Sequence, residues 1–148
     1  MEEWRKYLKE ARQFLKAGGG RPGKPSRLSN DIRYNLLALS LEKSCMAILL
    51  RHNDLADNHT FSDLVTSIKR HITLPDGLEE EILALEQVQS ICNLYEYHRE
   101  IPSDPVVSRL RRVAELLCET AEKPGCPPLT IQTAKPCFIQ NDVDFREP

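Results

Sequence analysis

The sequence predicts an all-α fold, an antiparallel helical bundle of about five helices with an irregular C-terminal tail. Three observations carry this. Apolar residues recur at steps of three and four along most of the chain, the spacing that lines one face of a helix. Aromatic residues are only 6% of the total, which argues against a β-sandwich core. The ten prolines gather in connections and after residue 123, leaving the periodic stretches clear. A chain of 148 residues is enough for one domain with one core. The boundaries expected are a bundle over 1–123 and a proline-containing tail over 124–148.

The first helix is written in Trp4, Tyr7, Leu8, Ala11, Phe14 and Leu15. Gly18, Gly19 and Gly20 end it, because glycine adopts positive φ without strain. A basic, glycine- and proline-punctuated loop follows to Asn30. Asn30 or Asp31 caps a second helix to about His52, with Tyr34, Leu37, Ala38, Leu41, Cys45, Ile48 and Leu49 as its main stripe. Leu36, Leu39, Met46 and Leu50 widen that stripe until the helix is apolar nearly all round, which marks it as central. Thr60 and Asp63 form a capping box for a short third helix carrying Phe61, Leu64, Val65 and Ile68. Pro75, Asp76 and Gly77 turn the chain into a fourth helix, from Leu78 to about Arg99. Ser103 or Asp104 caps a fifth, with Pro105 in its first turn and Val106, Leu110, Val113 and Leu117 as its stripe. Short connections favour antiparallel neighbours.

Composition excludes some functions. A net charge of −2 gives no whole-protein attraction to nucleic acid or anionic membranes, so binding of either kind needs a local patch. No apolar run approaches the roughly 18 residues of a membrane span. The N-terminal stretch lacks a secretory apolar region, which sets the expectation of a cytoplasmic protein without membrane contact. Five cysteines, Cys45, Cys92, Cys118, Cys126 and Cys137, show no zinc-site spacing and read as reduced thiols. No metal or cofactor is expected. The chain contains no phosphate loop, dinucleotide fingerprint, zincin motif or nucleophile elbow. Basic residues cluster at Arg21, Lys24 and Arg27, and again at Arg109, Arg111 and Arg112, without the interleaved aromatics that stack bases.

Several stretches, taken in order, resemble the HEPN domain (higher eukaryotes and prokaryotes nucleotide-binding). EEWRKYLKEARQFLKAG is similar to the opening helix of that family. RYNLLALSLEKSCMAILL is similar to its long central helix, with Glu42-Lys43 followed by Ala47. NHTFSDLVTSI resembles the start of its short third helix, and NLYEYHREIPSDP its aromatic and basic helix end before a proline turn. The resemblance covers about Glu2 to Cys118. It implies a helical bundle that forms homodimers and partners a minimal nucleotidyltransferase in a toxin–antitoxin-like arrangement. Some members are metal-independent endoribonucleases that carry Arg, four to six residues, then His. This chain departs there: Arg51 and His59 are one residue too far apart and sit at a different helix.

The function expected is therefore a non-catalytic HEPN-type module, dimeric, binding a nucleotide or a partner nucleotidyltransferase. The alternatives are a divergent endoribonuclease acting on RNA through His59 or His98 with Arg99, and a structural adaptor for other proteins. No catalytic residue is assigned. A ligand groove is expected between Arg51, His59, His98 and Arg99, which converge if the second and fourth helices end on the same side. Guanidinium groups there grip phosphate oxygens in pairs. The rival reading is that each cation only complements a helix dipole.

Overall fold

The computed structural model describes residues 3–21, 23–24, 26–87 and 101–123. It contains α1 (Glu3–Gly19), α2 (Asn30–Arg51), α3 (Phe61–Lys69), α4 (Leu78–Glu86) and α5 (Asp104–Glu122), and no strand among the described residues. The all-α bundle is the fold the periodicity predicts. The tail over 124–148 and the later part of the predicted fourth helix, 88–100, lie outside the described residues.

Helix α2 is the axis of the bundle. Ten of its 22 residues are buried, among them Leu37, Leu41, Cys45, Ala47 and Leu49, which have no exposed surface. The other helices each turn one stripe onto it or onto one another. Leu8 and Ala11 come from α1, Leu64, Val65 and Ile68 from α3, Ile82 and Leu85 from α4, and Val107, Leu110, Val113 and Leu117 from α5.

The helix starts refine the expectation. Ser29, not Asn30 or Asp31, caps α2: its Oγ accepts from the Ile32 N–H at 3.3 Å. Asn30 is already helical, and its Nδ2 instead donates to Pro102 O at 3.0 Å and Asp104 Oδ1 at 2.8 Å. Thr60 caps α3 as predicted, accepting from the Asp63 N–H, but the Asp63 carboxylate accepts from the Thr60 hydroxyl at 2.6 Å where a full capping box would take the Thr60 backbone N–H. Only Gly20 of the first glycine run has positive φ. Gly18 is inside α1, and a Cβ there would lie 3.0 Å from Arg33 O, Leu36 Cβ and Leu37 Cγ. Its role is close helix approach.

Side-chain ties fix the direction of each helix. Helices α1 and α2 are antiparallel: Ser40 Oγ donates to Ala11 O at 2.7 Å, and Lys43 pairs with Glu10 at 2.8 Å. Helix α5 runs beside α2 in the same sense, since Asn30 meets its start and Arg51 its end. Simple alternation of α2, α3 and α4 does not form. The segment 52–60 returns along α2 until His59 Nδ1 stands 2.9 Å from Glu42 Oε1. Extended residues advance about 3.3 Å each, so nine of them easily retrace half of α2. Helix α3 then climbs in the direction of α2, ending where Arg70 and His71 meet Asp54. Helix α4 descends beside it, with Lys69 paired to Glu79 and Glu86 beside Ser62. Its last turn reaches the start of α2, where the Tyr34 hydroxyl donates to Leu85 O at 2.6 Å. Burial pushes the ionisation of that hydroxyl upward. The described end of α4, Glu86, is thus at the opposite end of the bundle from Arg51, and the expected helix end near Arg99 lies outside the described residues.

Candidate functional site

Arg51 belongs to the packing of the helix ends. Its Nη1 donates to Ala121 O at 2.7 Å and Lys123 O at 2.6 Å, the free carbonyls at the end of α5. The Trp4 ring stacks on the guanidinium, 4.6 Å from its centroid. The dipole reading is right in kind, but the helix end served is that of α5 and not that of α2.

His59 is held elsewhere. It is about half exposed and paired with Glu42. Glu42 and Arg51 are nine positions apart on α2. At 3.6 residues per turn that is about half a revolution and about 13 Å along the axis. Arg51 and His59 therefore occupy opposite faces of α2 and share no groove. His98 and Arg99 lie outside the described residues. Of the basic clusters, Arg109 is committed to Glu81 by two bonds of 2.7 and 2.9 Å, and Arg111 to Glu115 at 3.1 Å. The Arg109 guanidinium holds the Glu81 carboxyl below the ordinary carboxylate range.

A polar cluster that the sequence reading did not single out sits where α2 and α3 both end. Helix α2 closes with a Schellman turn: the Asn53 N–H bonds Leu50 O at 3.1 Å and the Asp54 N–H bonds Leu49 O at 2.9 Å, with Asn53 at φ 57. The turn aims the Asp54 carboxylate back at α3. Its Oδ2 accepts from His71 Nε2 at 2.7 Å and from Arg70 Nη2 at 2.9 Å, and its Oδ1 accepts from the Leu55 N–H at 2.8 Å. The His71 bond first, then the Leu55 amide and the Arg70 charge, pull the Asp54 carboxyl down to about 2. The His71 ring lies on the His52 ring, centroids 4.8 Å apart and planes within 12°. Burial, and then the neighbouring His71 and Arg51, push His52 below the ordinary imidazole value.

This geometry resembles an orienting carboxylate with its histidine, but it does not deliver a proton to a substrate. A carboxylate only accepts, so Nε2 carries the hydrogen and faces Asp54. The other ring nitrogen, Nδ1, is buried and has no hydrogen-bond partner, alone in this among the described side chains. Both nitrogens are turned into protein. The sequence did contain a signal for the cluster: Arg-His pairs close both the second and third helices, and Asn53-Asp54 follows the first pair. Periodicity cannot say which helix ends meet.

The remaining chemistry is structural. Cys45 is free and buried, as its place in a helical stripe predicts, and Cys118 is buried too, inside α5 and not exposed near the tail; burial pushes the Cys45 thiol up to about 12. Cys92, Cys126 and Cys137 lie outside the described residues. No cluster of metal-ligating side chains, and no helix long and apolar enough to cross a membrane, occurs among the described residues.

No family model matches the chain, and no curated protein matches it. Among solved structures, the fold is similar to that in the crystal structure of TT1696 from Thermus thermophilus, with a TM-score of 0.62. The two chains are 15% identical, and the match covers 82% of this chain and 98% of that one. At that identity the likeness concerns the fold alone.

Proposed function

We propose that this chain is a non-catalytic HEPN-type module that works by pairing, first with a second copy of itself and then with a partner nucleotidyltransferase or a nucleotide. The observation that carries this reading is a second apolar stripe on α2, on the face opposite Leu41, whose first half is left open. Ile32, Leu36, Leu39, Lys43, Met46 and Leu50 recur at alternating steps of four and three, the heptad spacing by which one helix seats against another. Met46, in the later half, is covered at 8% exposure, whereas Ile32 and Leu39 in the first half stand 47% and 37% exposed. Lys43 interrupts the stripe but is neutralised by Glu10 and lies over the Tyr7 ring.

A ribonuclease reading gains no support. His59 is tied to Glu42, the chain lacks the Arg-x4-6-His pair, and the His98 and Arg99 of that alternative lie outside the described residues. For the same reason a protein partner is favoured over a phosphate-bearing ligand as the principal target.

Light scattering at tens of micromolar tests the pairing. The wild-type chain is expected at twice its monomer mass, and Leu39→Glu at the monomer mass with unchanged helix content. A monomeric wild type overturns the reading. Melting in the presence of ATP tests the nucleotide arm, since a ligand selective for the folded state raises Tm and no rise removes it.

A further inference from the structure

We propose that the stacked His52–His71 pair is a pH-sensitive latch between the end of α2 and the end of α3, closed when His52 is neutral and opened when His52 takes up a proton. The inference is independent of the function proposed above.

The geometry assigns unequal parts to the two rings. His71 is anchored by Asp54 through Nε2, and its buried Nδ1 faces no acceptor. That bond to Asp54 fixes the ring in place under His52. His52 has the stack and no carboxylate of its own. Its neighbours from α2 and from α3 are the Arg51 guanidinium and the His71 ring. The Asp54 charge is divided between His71 and Arg70, and Asp57, on the same segment, stands 4.0 Å from Arg70. A proton on His52 therefore creates a half-buried cation facing a second cation and a ring that is already committed.

The sign follows from linkage. A histidine whose folded value is depressed binds its proton more readily when released. The closed form loses ground as pH falls below the ordinary value of 6.5, until the folded value is passed. With one proton linked, the open fraction rises by up to about tenfold per pH unit across that window. Asp54 cannot produce this response, because its carboxyl is released only between 3.8 and about 2. What opens is the contact between the turn after α2 and the turn after α3, since Leu64, Val65 and Ile68 hold α3 itself in the core.

Hydrogen exchange on the full chain, one pH unit above and one below about 6.5 and corrected for intrinsic chemistry, reads the latch. The hydrogen-bonded amides of the two turns, Asn53 and Asp54 after α2 and Arg70 to Ile72 after α3, are expected to exchange several-fold faster at the lower pH, while those of α1 and α5 do not change. His52→Gln is expected to abolish the difference, and His59→Gln, which removes the imidazole at the far end of the 52–60 segment, to keep it. A response that survives in His52→Gln, or is lost in His59→Gln, or never occurs in the wild type, overturns the proposal. Should His52→Gln fail to fold, the His52 ring proton resonances in the wild type decide. A midpoint below 6.5 that moves the His71 resonances in step supports the latch, and a midpoint at or above 6.5 sinks it.

Discussion

The two halves of α2 solve opposite problems. The C-terminal half is closed on every side: Met46, Ala47, Ile48 and Leu49 are buried, Arg51 is spent on the α5 carbonyls, and the turn beyond it binds α3 through Asp54. The N-terminal half is closed on one side only. Tyr34 and Leu37 face the core and Gly18 lets α1 approach, yet Ile32 and Leu39 face outward among the exposed residues. A polar residue in the first region is therefore a tie within the fold, even when its chemistry suggests a ligand. An apolar residue in the second is surface that folding leaves uncovered, and it is the better guide to what the protein meets.

That contrast can be broken by substitution. The largest effect belongs to the closed core. Leu41→Ala and Ile48→Ala should each cost on the order of 2–5 kcal/mol in chemical denaturation, because both side chains are buried and leave cavities. A loss under 1 kcal/mol at both would mean that α2 is not the axis. Gly18→Ala should cost about 1–3 kcal/mol, since the added methyl meets backbone and two leucines with little room to give. Arg51→Ala should cost about 1–2 kcal/mol, from two charged hydrogen bonds and the stack on Trp4, all partly open to solvent. If Arg51→Ala leaves stability unchanged and instead abolishes binding of ATP, the closed half holds a site after all. The smallest effect is expected at Leu39→Ala, within about 0.5 kcal/mol of wild type in the isolated chain. A large loss there would show that the outward stripe is covered by the chain itself.

Much of the fold was legible because it is local. The stripes of α1, α2, α3 and α5, the Thr60 cap and the Pro75–Gly77 turn all depend on residues within a few positions of one another. The reversal at 52–60 was not legible. Nothing in the local pattern distinguishes a turn that sends α3 back down α2 from one that lets it start again halfway along. That single ambiguity moved the candidate site. With α3 climbing and α4 descending, Arg51 and the described end of α4 separate, and His71 arrives beside His52 instead. Arg51 does cap a helix end, as its residue type suggests, but the end is that of α5 and not of its own helix. Which carbonyls Arg51 would reach, 70 and 72 residues away in the chain, is a tertiary fact.

The clasp of Arg51 on the end of α5 has a practical side. The chain has one tryptophan, and its ring is flanked by the Arg51 and Arg5 guanidinium groups, 4.6 and 5.1 Å from the ring centroid. Its emission therefore reports on the junction of three chain segments and hardly at all on the deep core. A fluorescence melt that coincides with the loss of helical circular dichroism would mean that the junction and the core unfold as one unit. An earlier fluorescence midpoint would mean that α5 undocks from the end of α2 first, and the same indole would then time that undocking directly.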